Sequence, residues 1–158
     1  MDRLEDPLTG EVHKDLQVEI PTERYNQAVD VANLLKEKMK TSFPFVPTGQ
    51  PVDPDHVKIY INRIWKSTVV VTGIDYIPAV ANAGNVLRPE TKVKLSIRLP
   101  PTLKDAQAVK VIQEILTSNP PYGAEITLDE FCTGNGWNAP AISKALDDSI
   151  NQASLVIF

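Results

Sequence analysis

Two side chains stand out as able to hold a ligand: the amide of Asn85 and the guanidinium of Arg98. Both lie in residues 83–101, AGNVLRPETKVKLSIRLPP. A guanidinium grips a carboxylate through two parallel charge-assisted hydrogen bonds, a fork that an ammonium cannot make. Val93, Leu95, Ile97 and Leu99 alternate with Lys92, Lys94, Ser96 and Arg98. Side chains on a strand point to opposite faces in turn, so residues 92–99 predict a strand with one face buried and one open. Arg98 falls on the open face, just before the Pro100-Pro101 stop, and Asn85 lies in a Gly-Asn turn that feeds the strand. Amide and guanidinium could then project from one sheet edge toward a ligand. The plainer alternatives are that Arg98 pairs with Glu125 or Asp129 across the sheet, and that Asn85 only forms a turn beside Gly84. Lys92 and Lys94 read as an ordinary charged strand face.

Other chemistry is sparse. His13 and His56 sit in polar loop contexts, and neither has a second ligand at the close spacing that metal pairs use. Cys132, the single cysteine, has no histidine near it in sequence. It is expected to be a buried or half-buried inert thiol. Gly134-Asn135-Gly136 lacks the strand-to-helix context of a dinucleotide loop. Trp65 and Trp137 are expected to be packing residues.

The elements that must position Asn85 and Arg98 follow from periodicity. Tyr25, Ala28, Val29, Ala32, Leu35 and Met39 recur at helical spacing, which predicts a helix over 22–40. Four prolines make 41–55 a loop. Asp53-Pro54 has the form of an N-cap followed by proline at the first helical position. Val57, Ile61, Ile64 and Trp65 then suggest a short helix, although Val57, Ile59 and Ile61 also fit a strand. The β-branched run at 68–74 predicts a strand. Thr102 to Asp105 resembles a capping box, opening a second long helix with Ala108, Val111, Ile112, Ile115 and Leu116 on its apolar face. Alternation predicts a further strand over 124–131 and allows an edge strand at Leu16, Val18 and Ile20. Residues 140–158 predict an amphipathic terminal helix.

Composition bounds the function. Apolar residues at 42% and charged residues at 23% suit a globular chain with a real core. The net charge of -4 argues against a nucleic-acid partner. The open strand faces also lack the aromatic residues that stack RNA bases. No apolar run approaches the roughly 20 residues that span a bilayer. One cysteine cannot form an internal disulfide.

The segments WKSTVVVTGID, AGNVLRPETKVKLSIRLPP, NPPYGAEITL and GWNAP, in that order, resemble successive landmarks of the lid, or dimerisation, domain of aminoacylase/carnosinase-type dinuclear zinc metallopeptidases. The opening DRLEDPLTGEV resembles the segment after the lid's His-Ser-Gly loop. The resemblance covers nearly the whole chain. It implies an α+β, ferredoxin-like antiparallel sheet with two helices on one face, the first strand missing from the chain, and a C-terminal helix. Residues 1–21 would be a connecting segment, 22–133 the lid, and 134–158 the start of the return to the catalytic domain. The chain would thus be a piece of a longer protein. The resemblance makes Asn85 and Arg98 substrate-binding residues, with Arg98 on a carboxylate. It implies a homodimer formed through the lid, a catalytic domain as partner, and a peptide or N-acyl amino-acid substrate. It also implies hydrolysis in the parent by water activated on two zinc ions, with a glutamate as base. The metal ligands and the lid histidine would lie outside these residues, so no cofactor and no catalytic residue is expected here. The alternative is a stand-alone ferredoxin-like module that binds small molecules.

The absence of a ligand cluster predicts that the purified chain retains no stoichiometric zinc after dialysis and hydrolyses no dipeptide. One or more tightly held zinc ions per chain, measured by metal analysis, would contradict it.

Overall fold

A computed structural model describes residues 1–157. The chain is α+β, with a two-stranded antiparallel sheet and, among the described residues, five helices. In order these are α1 (Thr22–Leu35), α2 (Lys38–Thr41), α3 (His56–Ile64), β1 (Thr68–Asp75), β2 (Lys92–Arg98), α4 (Asp105–Thr117) and α5 (Lys144–Ile157).

The register lines up the apolar residues of the two strands on one face. Val69 faces Ile97 and Val71 faces Leu95, while Thr68 faces Arg98 and Val70 faces Ser96. Beyond Val71 the alternation of β1 would fall out of phase with that of β2. A bulge at Thr72 corrects this, because Gly73 then faces Lys94 and Ile74 faces Val93. One extra residue moves every later side chain to the other face, which restores an apolar pair at Ile74. Thr72 Oγ1 donates to the Lys94 carbonyl at 3.3 Å.

Two strands alone are marginal in water and need an apolar layer upon them. That layer comes from α4 and from the first sixteen residues. Leu4, Val12 and Leu16 join Val69, Leu103, Ala108 and Ile112 in one buried cluster, and Leu95 and Ile97 pack against it. Leu4 and Leu16 are completely buried. The bridge between Glu5 and Val12 folds this segment on itself, and Asp6 Oδ1 accepts from the Leu8 and Thr9 amides. Those backbone bonds hold the Asp6 carboxyl below its ordinary value of 3.8. A depressed carboxyl stabilises the fold above its unfolded pKa, so this contribution is lost as pH falls through the acid range. Ser67, just ahead of β1, donates its hydroxyl to the Leu16 carbonyl and its amide to Gln17 Oε1 at 3.2 Å. Arg3 donates to the carbonyls of Ile115, Ser118 and Asn119 at the end of α4. That turn has no basic residue of its own, so Arg3 supplies the cation that a helix C-terminus favours. A second cluster holds Ala28 of α1, Ile61 of α3 and Trp65, with Val18 and Ile20 against it.

Several expectations are corrected. The helix expected over 22–40 breaks at Lys36, where φ is 42. Leu35 and Met39 keep the i, i+4 spacing of one stripe, so periodicity gives no sign of the break, and Met39 is buried beyond it on α2. The cap of α3 is Asp55, which accepts from the Val57 and Lys58 amides; Asp53 instead accepts from the Asp55 amide and meets Lys58 Nζ at 3.0 Å. Thr102 does not cap α4, whose N-cap is Lys104 without a side-chain bond. Residues 124–131 form no strand. Alternation describes a face, but a strand also needs a neighbour's donors and acceptors. Left-handed Tyr122 and Gly123 on one side and Glu130 on the other interrupt any longer extended run. The edge strand expected at Leu16, Val18 and Ile20 is a 3-10 turn, Lys14–Leu16, followed by unpaired chain. The terminal helix begins at Lys144 rather than at residue 140, and the last residue expected in it, Phe158, lies outside the described residues.

If the opening segment is core, Leu4→Ala should destabilise the chain by about 2–5 kcal/mol, the cost of an emptied aliphatic site. Urea denaturation measures it. A change below about 0.5 kcal/mol would show that the segment does not hold the sheet.

Candidate functional site

Arg98 is the last residue of β2 and faces Thr68, the first of β1. Val69, Leu95 and Ile97 turn the other face to the apolar cluster, so the guanidinium stands on the polar side and is exposed. Among the described residues its side chain forms no hydrogen bond and no ion pair. Of the two acids that could have neutralised it, Asp129 lies 3.9 Å from Lys92 instead. The cross-strand neighbour of Lys92 is another acid, Asp75. The charged face is therefore uneven. It is compensated at the Lys92 end and uncompensated at Lys94 and Arg98.

Asn85 is exposed in the long connection between the strands, after the 3-10 turn Val80–Asn82. That connection joins the end of β2 opposite to Arg98. From Lys92 to Arg98 the strand rises about 20 Å. No hydrogen bond joins Asn85 to Arg98 among the described residues. The same loop exposes Val80, Val86 and Leu87, the last of them 100% accessible.

The two histidines are placed apart. His13 Nδ1 accepts from the Asp15 amide and caps a turn, whereas His56 Nε2 lies 3.4 Å from Glu37 Oε1 beside α2. Among the described residues, no group of three His, Cys, Asp or Glu side chains is gathered as a metal site would require. Among the described residues, no helix is long and apolar enough to cross a membrane.

The sequence does not point to an open apolar cleft beside α1. It has a volume of about 520 Å³ and opens between α1, α3 and the returning chain at 137–139. Tyr60, Trp65, Pro101 and Trp137 supply apolar walls, and Arg24 and Gln27 a polar rim. Arg24 binds Gln27 Oε1 at 2.8 Å and the Ala139 carbonyl, which ties the returning chain to α1. No carboxylate, imidazole or thiol lines the cleft, so it can bind but offers no general base. Trp65 is packed, as expected, whereas Trp137 is 78% exposed and is not a core residue. Its neighbours Gly136 and Asn138 give it no apolar run to be buried with. Cys132 is also exposed, contrary to expectation, because no strand forms to turn it inward. The signal that could have located the cleft was the pairing of Trp137 with the Pro100-Pro101 stop. Gly136 approaches Pro101 so closely that an added Cβ would sit 2.8 Å from its Cα.

No family model matches the chain, and no curated protein matches it.

The arrangement separates a structural Arg98 from a ligand-binding one. A side chain without partners can be removed at little cost, so Arg98→Ala should leave stability within about 0.5 kcal/mol. A shift in the denaturation midpoint worth more than about 1 kcal/mol would make Arg98 a structural residue.

Proposed function

We propose that the chain is the lid and dimerisation domain of a zinc-dependent peptidase or amidohydrolase of the aminoacylase/carnosinase type. The enzyme would hydrolyse peptide or N-acyl amino-acid bonds, and the lid would clamp the substrate carboxylate. The observation that carries this reading is the uncompensated guanidinium of Arg98, exposed on a sheet face that the apolar core leaves open. A guanidinium free of internal partners keeps its fork available for a carboxylate. Asn85 supplies an amide on a loop long enough to fold back over the same face. The reading requires that movement, since the two residues are attached at opposite ends of β2.

In this reading β1 and β2 are the second and third strands of a ferredoxin-like sheet. The first strand would pair alongside from outside the described residues, and α4 is one of two helices on one face. The second helix is α1, which packs with α3 and Trp65 rather than in the cluster beneath the sheet. In this reading the metals belong to the catalytic domain. The role of this chain is to bind and orient the substrate.

The 520 Å³ cleft favours a second reading, a stand-alone ferredoxin-like module that binds a small molecule between Trp65 and Trp137. A ligand that quenches tryptophan fluorescence in the wild type but not in Trp137→Ala would support it.

Two measurements test the lid. In the full-length parent, Arg98→Ala should raise the KM for carboxylate-bearing substrates far more than for amidated ones, by about 2–5 kcal/mol of lost binding. Arg98→Lys should recover part of it. Equal effects on both substrates would remove Arg98 from the clamp. The second measurement is mass. A two-stranded sheet has two edges with unpaired backbone donors and acceptors, and α5 exposes Leu146 and Ile150. Light scattering over a dilution series should show a dimer, and a monomer at all concentrations would exclude dimerisation through the lid.

A further inference from the structure

The open sheet face carries two uncompensated cations, and only Arg98 has been given a role. Lys94 lies four residues before Arg98 on the same face, about 13 Å away along the strand. Lys92 meets Asp129 at 3.9 Å, but Lys94 has no ion pair among the described residues. The bulge at Thr72 sets Gly73 opposite Lys94, and the Thr72 hydroxyl reaches only the Lys94 carbonyl, so no acidic side chain faces Lys94 from β1. An added methyl at Gly73 would touch only Lys94 Cβ, at 3.7 Å. Between the two cations stands the Ser96 hydroxyl, with Val70 opposite. We infer that Lys94 is a specificity-determining residue that reads a second carboxylate, so that the ligands this face prefers are acylated or peptidyl amino acids with an acidic side chain. Arg98 holds one carboxylate in its fork, and the flexible Lys94 ammonium meets the other as a point charge. This rests on the carboxylate-clamp reading of Arg98.

The test uses N-acetyl-glutamate and N-acetyl-glutamine, which match in shape and differ by one charge. Each is titrated into the chain at low ionic strength and followed by NMR shifts of β2. The wild type should bind the glutamate about two- to fivefold more tightly, the range of one exposed ion pair. Salt should erode that preference. Lys94→Ala should abolish it, whereas Lys94→Arg and Lys92→Ala should keep it. Equal binding of the two ligands by the wild type, or a preference that survives in Lys94→Ala, overturns the role of Lys94. Arg98→Ala separates the two levels. If it abolishes N-acetyl-glutamine binding while Lys94→Ala changes nothing selectively, only the Lys94 role falls. If it leaves binding of both ligands unchanged, the clamp reading fails. If the wild type binds neither ligand, both fail.

Discussion

A sheet of two strands persists only while something apolar lies on one of its faces. That requirement organises the molecule. The cover is made from two distant pieces, the first sixteen residues and α4, and Leu4, Leu16 and Ile112 meet beneath Val69. Once one face is given to the core, the other is left to water. The bulge at Thr72 keeps the two faces distinct along the whole length of β1. The position of Arg98 is thus a by-product of packing on the opposite side. No contact to the guanidinium is needed to put it there.

The same packing explains why the open face has charge to spare. The apolar side fixes the register, the register sets Asp75 against Lys92, and Asp129 approaches the same end. Two acids flank the Lys92 end, and among the described residues none forms an ion pair with Lys94 or Arg98. The cleft between α1 and α3 differs, with aromatic walls and, among the described residues, no carboxylate, imidazole or thiol. One chain therefore offers a cationic surface suited to anions and an apolar recess suited to flat, uncharged groups.

The legible parts of the fold were those in which periodicity and burial agree. The alternation at 92–99 fixed β2 to within a residue of its observed end, and the β-branched run did the same for β1. The open side of Arg98 followed from the same alternation. The stripes of α1, α3 and α4 were visible, but their ends were not, because caps depend on neighbours: Asp55 rather than Asp53, Lys104 rather than Thr102. Residues 124–131 alternate as well as many strands do, yet pairing is a property of two segments, and only one can be read at a time. The role of Leu4 was hidden for another reason. A single leucine in a polar run has no period, and its burial is decided by α4, more than a hundred residues away.

Arg3 gives that separation a kinetic meaning. Its bond to the Ile115 carbonyl closes a loop of 112 residues. Closing so long a loop costs entropy that local contacts do not repay, and chains rich in such contacts fold slowly. The helices can start from near neighbours, whereas the opening segment must wait until α4 has an end to grasp, and the sheet has its full cover only when both are in place. The end of α4, the first turn of the chain and the strands beneath them thus form one cooperative unit. Their amides should exchange with solvent together, well behind those of the exposed loop at 76–91.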